Sequence, residues 1–238
     1  MKILALETSA KACSAAVSSD GSIIASAFQS TGLTHSRTLM PMVEAMLKNA
    51  ELTVDGCDAI AVACGPGSFT GIRIGIAAAK GLAFAAGKPA VGVSTLEAMA
   101  TGAACMDGLI VCSMDARRQQ IYNAVFSAEN GQLTRLTEDR PIALADLSRE
   151  LESFSQRKII VGDGALLCYN YLSEQNIPCI MAPPHLVQQS AVTVALAAER
   201  LMREGKACSA QDLAPVYLRQ AQADRLKNQP TTQKELSK

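Results

Sequence analysis

Three apolar runs of strand length open the chain. Residues 2–6 stop at Glu7-Thr8-Ser9, residues 13–18 run into Asp20-Gly21, and residues 23–28 follow directly. That is a three-strand meander turned by a hairpin dipeptide. The period then changes. Leu39, Val43, Met46, Leu47 and Ala50 share one side of a helix that Thr38 can cap and whose first turn accommodates Pro41. Residues 59–64 read as a buried strand and residues 65–71 as a tight loop. Residues 72–86 read as a helix of small residues, closed by Gly87. A strand at residues 90–93 and a helix from Thr95 complete the first half.

The second half goes through the same order. Residues 109–114 are a strand ending at Asp115, residues 120–127 alternate and reach Asn130-Gly131, and residues 132–136 finish the meander. A helix at 145–154, a strand at 158–161 and the loop Gly162-Asp163-Gly164 come next. A helix at 165–172, a strand at 179–181 and an Ala-rich helix at 191–205 follow. The order βββαβαβα thus occurs twice, with the boundary between residues 102 and 108. The expected organisation is an N-terminal lobe at 1–102, a C-terminal lobe at 103–223 and a polar, disordered tail at 224–238. Two such lobes face to face make the α/β, two-lobed actin-like ATPase class (ASKHA, RNase H-like), in which nucleotide sits between the lobes.

Composition narrows the field. Of 238 residues, 49% are hydrophobic and 18% charged, enough to bury a sizeable core. The 22 basic and 22 acidic residues balance, which argues against a free-standing RNA binder with its basic surplus. Cys13, Cys57, Cys64, Cys105, Cys112, Cys168, Cys179 and Cys208 include no C-x-x-C pair and sit mostly among Ala, Val, Ile and Leu. They read as buried, reduced thiols rather than a zinc site or a disulfide framework. The opening run is too short for a signal peptide, and the longest apolar stretch, residues 72–87, carries Arg73 and Lys80. No membrane span is expected, and the protein reads as cytoplasmic.

A phosphate-handling cleft needs a carboxylate after the first strand of a lobe, then Gly or hydroxyl residues whose backbone N–H groups approach phosphate. Lobe one offers Thr8 and Ser9 behind Glu7, without a Gly. Lobe two offers Asp115, but Ala116-Arg117-Arg118 stand where a Gly pair belongs, and Gly162 and Gly164 form the loop on the adenosine side. Thr8, Ser9, Asp115, Gly162 and Gly164 are therefore the cofactor-binding candidates, in what reads as a degraded nucleotide site. The loop at 65–71 lacks the Gly-Lys-Ser/Thr ending of a Walker A motif and is expected to set helix packing, with Ser68 or Thr70 as cap. His35 and His185 are the only histidines and form no H-E-x-x-H. Neither a catalytic residue nor a metal ligand is expected.

The segment Gly65-Pro66-Gly67-Ser68-Phe69-Thr70-Gly71-Ile72-Arg73-Ile74-Gly75 resembles the signature of the TsaB–TsaD (YeaZ) family of bacterial tRNA-modification proteins. Ile3 to Ser9, His35 to Pro41, Asp115 to Tyr122 and Pro215-Val216-Tyr217-Leu218-Arg219 are also similar, in the family's order. TsaD members carry a metal-binding H-x-x-x-H on the helix after the signature helix and its strand; here those positions hold Thr95 and Met99. Neither replaces histidine toward iron or zinc. The resemblance therefore implies a non-catalytic scaffold that pairs with TsaD. TsaD transfers threonylcarbamoyl onto N6 of adenosine 37 in tRNAs reading codons that begin with A. It also implies the TsaE ATPase as a further partner, indirect contact with tRNA, and no cofactor of its own, with ATP or ADP at a subunit interface left open. From the fold class alone, the alternative is a free-standing small-molecule kinase or ATPase.

Two lobe-one helices are expected to dock the partner. Met side chains adapt to different surfaces, and small residues let helices approach closely. Leu39, Met42 and Met46 on one helix and Gly71, Gly75, Ala78, Ala79 and Leu82 on the next are the candidates. They would form a four-helix interface for which a homodimer and a TsaD heterodimer compete.

Overall fold

The computed structural model describes residues 1–117 and 119–219. In chain order the elements are β1 (Lys2–Glu7), β2 (Cys13–Ser19), β3 (Ser22–Gln29), α1 (His35–Asn49), β4 (Ala59–Gly65), α2 (Phe69–Ala85), β5 (Ala90–Ser94) and α3 (Thr95–Gly102). Then come β6 (Gly108–Asp115), β7 (Gln120–Glu129), β8 (Gln132–Arg135), β9 (Arg140–Ala143), α4 (Leu144–Glu152) and β10 (Lys158–Val161). The last are α5 (Ala165–Glu174), β11 (Cys179–Met181), α6 (Pro184–Val187) and α7 (Ala191–Arg203). The tail expected to be disordered and Arg118 lie outside the described residues.

Each half builds one sheet. The first runs β3-β2-β1-β4-β5 and the second β11-β10-β6-β7-β8, with β9 also paired to β7. In the first, β1 pairs antiparallel with β2 and parallel with β4; in the second, β6 pairs antiparallel with β7 and parallel with β10. This duplicated topology is the two-lobed actin-like ATPase architecture. Asp20 and Asn130 adopt φ of +48° and +51° ahead of Gly21 and Gly131, so both hairpin signals turn as expected.

Hydrophobic periodicity explains the layers. Leu4, Leu6 and Ile60 face α1 and α2, while Ile3, Ala5, Ala61 and Val91 face α7. In lobe two, Ile110, Cys112 and Met114 face α3, whereas Leu109, Val111 and Ile160 face α4 and α5. The last long helix of each half thus packs on the other half's sheet: α3 on the second through Leu96, Met99 and Ala100, α7 on the first through Ala191, Val194 and Ala198. The division near residue 102 separates the strands but not these two helices.

Several elements differ from expectation. The first helix begins at His35, so Thr38 is inside it, with Thr34 at the N-cap, and Pro41 falls in its second turn at an exposed position. Thr38 instead donates its hydroxyl to the Thr34 carbonyl at 3.3 Å. β9 was not anticipated: the four residues of β8 pair only with the far half of β7, leaving Gln120–Asn123 an open edge that β9 fills. Pro141, lacking an N–H, fits such an outer strand. Among the described residues, no helix is long and apolar enough to cross a membrane.

Candidate functional site

The cleft between the sheets is where this class handles phosphate, and each lobe brings one strand end to it. In lobe one, β1 ends at Glu7, whose carboxyl is fully buried and accepts the Ser9 N–H. Burial pushes this carboxyl up to about 7, the polar groups of Ser9 oppose the rise, and the Asp163 carboxylate adds to it. Thr8 and Ser9 are buried too. The Thr8 hydroxyl donates to the Gly71 carbonyl at 2.8 Å, and the Ser68 N–H donates to the Ser9 carbonyl at 2.6 Å. A Cβ at Gly67 would lie 2.4 Å from the Ser9 carbonyl oxygen. The signature loop is therefore seated on these two residues and engages the Thr8 hydroxyl and the Ser9 carbonyl, while the buried Ser9 hydroxyl has no partner among the described residues. Ser68 caps α2 by accepting the Gly71 N–H, in the helix-setting role expected of the loop.

In lobe two, Asp115 is exposed at the end of β6, and its carboxylate accepts the Arg117 N–H at 2.7 Å. Gly162 and Gly164 pack on this strand end, where added Cβ atoms would lie 2.2 Å from the Ser113 carbonyl oxygen and 2.8 Å from the Asp115 nitrogen. Absence of a side chain there serves contact between β6 and the loop. Asp163 between them accepts a hydrogen bond from the Gln189 amide at 3.1 Å. Although one side is open to solvent, enclosing atoms push its carboxyl above the ordinary value, the Gln189 bond opposes this, and Asp115 adds to it. The five candidates thus fall into two groups, Thr8 and Ser9 beneath one loop, and Asp115, Gly162 and Gly164 around another.

Thr95 and Met99 are buried at the start of α3. The Met99 sulfur receives the Gln189 amide at 3.6 Å, and its methyl lies against Gly162. A thioether, a hydroxyl and an amide make a poor donor set for a hard cation. His35 is at the start of α1 with Nε2 2.8 Å from the Ala10 carbonyl, and His185 is exposed on α6. Among the described residues, no group of three or more His, Cys, Asp or Glu is arranged to hold a metal. Burial raises the Cys64 and Cys168 thiols to about 11, which keeps them protonated and unreactive. Cys105, expected to be buried, is exposed in the turn after α3.

The expected docking residues need the largest correction. Leu39, Met46, Gly71, Gly75 and Ala79 point into their own lobe and are buried. Gly71 and Gly75 are small because β1 lies against them: added Cβ atoms would meet the Thr8 carbonyl at 2.1 Å and the Thr8 hydroxyl at 2.4 Å. Met42, Ala78 and Leu82 are half-buried at the margin of the surface. Sequence reasoning missed the exposed members of this surface. Phe84 on α2 is 72% exposed, with Ile24, Leu33 and Met40 also open, while Phe28, 52% exposed, lies on the α7 face of β3 opposite Ser14. Between β3 and α1 runs a groove of about 710 Å³ lined by Ile24, Ser26, Pro41, Met42 and Ala45. Uncharged alternation in β3 was the available signal, since both faces of that strand carry apolar residues.

Comparison with known proteins gives a consistent answer. A family model described as TsaD, tRNA N6-adenosine threonylcarbamoyltransferase, matches residues 29–226. The tRNA threonylcarbamoyladenosine biosynthesis protein TsaB of Escherichia coli (strain K12) is 31% identical, covering 92% of this chain and 95% of that protein. The protein of the same name from Bacillus subtilis (strain 168) is also 31% identical, covering 94% of this chain and 96% of its own length. The solved structure of YeaZ from Pseudomonas aeruginosa superposes with a TM-score of 0.77 at 27% identity, over 91% of this chain and 99% of that one. With near-complete coverage in both directions and the same fold, the chain belongs to the TsaB (YeaZ) family.

Proposed function

We propose that this chain is a non-catalytic subunit in the formation of N6-threonylcarbamoyladenosine on tRNA, and that it acts by docking a TsaD subunit through the outer surface of α1, α2 and β3. The observation that carries this reading is the set of exposed apolar residues Ile24, Met40, Ala45 and Phe84, together with the groove between β3 and α1, which the chain's own fold leaves open. The printed names of the E. coli and B. subtilis relatives support the pathway. The burial of Thr8 and Ser9 beneath the signature loop, and the Met99–Gln189 contact on α3, support a subunit without chemistry of its own. Both also weigh against a free-standing kinase. In this reading TsaE is a further member of the assembly, tRNA is reached through TsaD, and the homodimer uses the same surface as the TsaD pair. Adenine nucleotide would bind only where a partner surface completes its site.

Reconstitution tests the reading. Purified TsaD and TsaE, with tRNA, ATP and the threonylcarbamoyl donor, are expected to modify adenosine 37 efficiently only when this chain is added. Equal modification without it would overturn the proposal, as would modification by this chain alone.

A further inference from the structure

The segment at residues 213–219 crosses from one lobe to the other, and its contacts are made by motifs whose purpose the docking surface leaves unexplained. Leu213 is buried in the lobe-one core, and the Val216 N–H donates to the Cys64 carbonyl at 2.8 Å. Gly65 has φ of +129°, and a Cβ there would lie 2.3 Å from the Val216 carbonyl oxygen. Tyr217 stacks on Phe69 with ring centres 4.9 Å apart. The Arg73 guanidinium lies 3.8 Å over the Phe69 ring and donates through Nε to the Tyr217 hydroxyl at 2.8 Å. Gly65, Phe69 and Arg73 of the signature segment thus form the seat for Val216 and Tyr217.

Two residues later the chain reaches lobe two. Arg219 donates through Nη1 to the Ala116 carbonyl at 2.9 Å and through Nη2 to the Gln120 side-chain oxygen, and its guanidinium lies 5.6 Å over the Tyr122 ring. The β6–β7 turn that it grips holds Arg117 and Gln119 at φ of +63° and +56°. Side chains other than Gly adopt such backbone angles only when surrounding contacts hold them there.

We propose that residues 213–219 are a clasp, seated on the signature loop of lobe one, whose Arg219 holds the β6–β7 turn of lobe two in its strained shape at the mouth of the cleft. The guanidinium is suited to this because its planar fork serves two acceptors at once while stacking on an aromatic ring, which an ammonium group cannot reproduce. The shared layer of α3 and α7 keeps the lobes together independently. Loss of the clasp should therefore free the turn without separating the lobes.

Amide hydrogen exchange on the full chain tests this. Arg219→Ala is expected to speed exchange in the peptide covering residues 115–122 by about tenfold, the equivalent of one charge-assisted hydrogen bond. The peptide covering α1, which lies on the outer face of lobe one, should be unaffected. Arg219→Lys should behave as Arg219→Ala. Tyr217→Phe, which removes only the hydroxyl that meets Arg73, should speed the turn less while leaving the chain folded. The clasp is overturned if Arg219→Ala leaves exchange in 115–122 at the unmodified rate. It is equally overturned if Arg219→Lys retains slow exchange, or if α1 and the turn accelerate together.

Discussion

In lobe one the outer helices turn Met40, Pro41, Ala45, Ala77, Gly81 and Phe84 to solvent among the charged Arg37, Glu44, Lys48 and Arg73; at the corresponding place in lobe two, α4 turns Ala145, Asp146, Arg149 and Glu152 outward with no large apolar side chain between them. Both helix layers cover one face of a sheet with the same strand order, so nothing in the fold demands the difference. Lobe two does keep Leu166 and Leu167 exposed, but at the start of α5 beside the cleft rather than across a helix pair. A second contrast lies at the strand ends: Glu7 is sealed under the signature loop, while its counterpart Asp115 is open. In a duplicated architecture, departures from symmetry in surface chemistry and burial separate what the fold requires from what an interaction requires.

The largest expected effect breaks the inward packing of lobe one. Gly75→Leu would drive a side chain into the Thr8 hydroxyl and Val62, and should lower stability by more than about 3 kcal/mol in a denaturant titration. A drop under about 1 kcal/mol would show that α2 does not lie against β1 as described.

Next comes the sealed carboxyl. Glu7 rises from its ordinary 4.5 to about 7 in the folded chain. The unfolded chain therefore releases this proton from about pH 4.5 upward while the folded chain holds it. Stability present in acid is lost as pH rises through that window, by roughly 3 kcal/mol. Asp163, also raised, acts in the same direction. Denaturation midpoints should fall between pH 5 and pH 8, and Glu7→Gln should flatten the fall; an unchanged slope in that variant would assign the effect elsewhere.

Charge on the apolar surface sharpens the contrast between the lobes. Ala45→Glu and Phe84→Asp lie at exposed positions, so the fold should survive while TsaD binding weakens at least about 100-fold, near 2.7 kcal/mol. Ala145→Glu on α4 should leave binding unchanged. Equal binding by all three variants in a titration would remove the docking surface.

The smallest effect has the opposite sign. Gly81 sits in α2 with nothing within 4 Å of an added Cβ, so Gly81→Ala should stabilise the chain by about 0.5–1 kcal/mol. Set beside Gly75→Leu, it separates the two faces of a single helix by thermal melting.

Much of this molecule is local in origin and therefore readable along the chain. Asp20-Gly21 and Asn130-Gly131 turn the hairpins because of the backbone angles those residues tolerate, and Ser68 caps α2 because its hydroxyl reaches an N–H three residues on. The element order, apart from β9 and the short α6, and the duplicated strand plan follow from periodicity. Other features depend on partners distant in sequence. A small-residue stripe reads the same whether a helix or a strand lies against it, so only the fold shows that Gly71 and Gly75 face Thr8. The exchange of α3 and α7 between sheets is equally silent in the sequence, because an apolar helix face does not specify which apolar sheet covers it. Residues 215–219 could be recognised as a motif, yet their bond to Cys64, stack on Phe69 and grip on Ala116 exist only once both lobes have brought those groups together. Periodicity and turn chemistry act over a few residues; packing between layers and contacts across the cleft are set by surfaces that form only on folding.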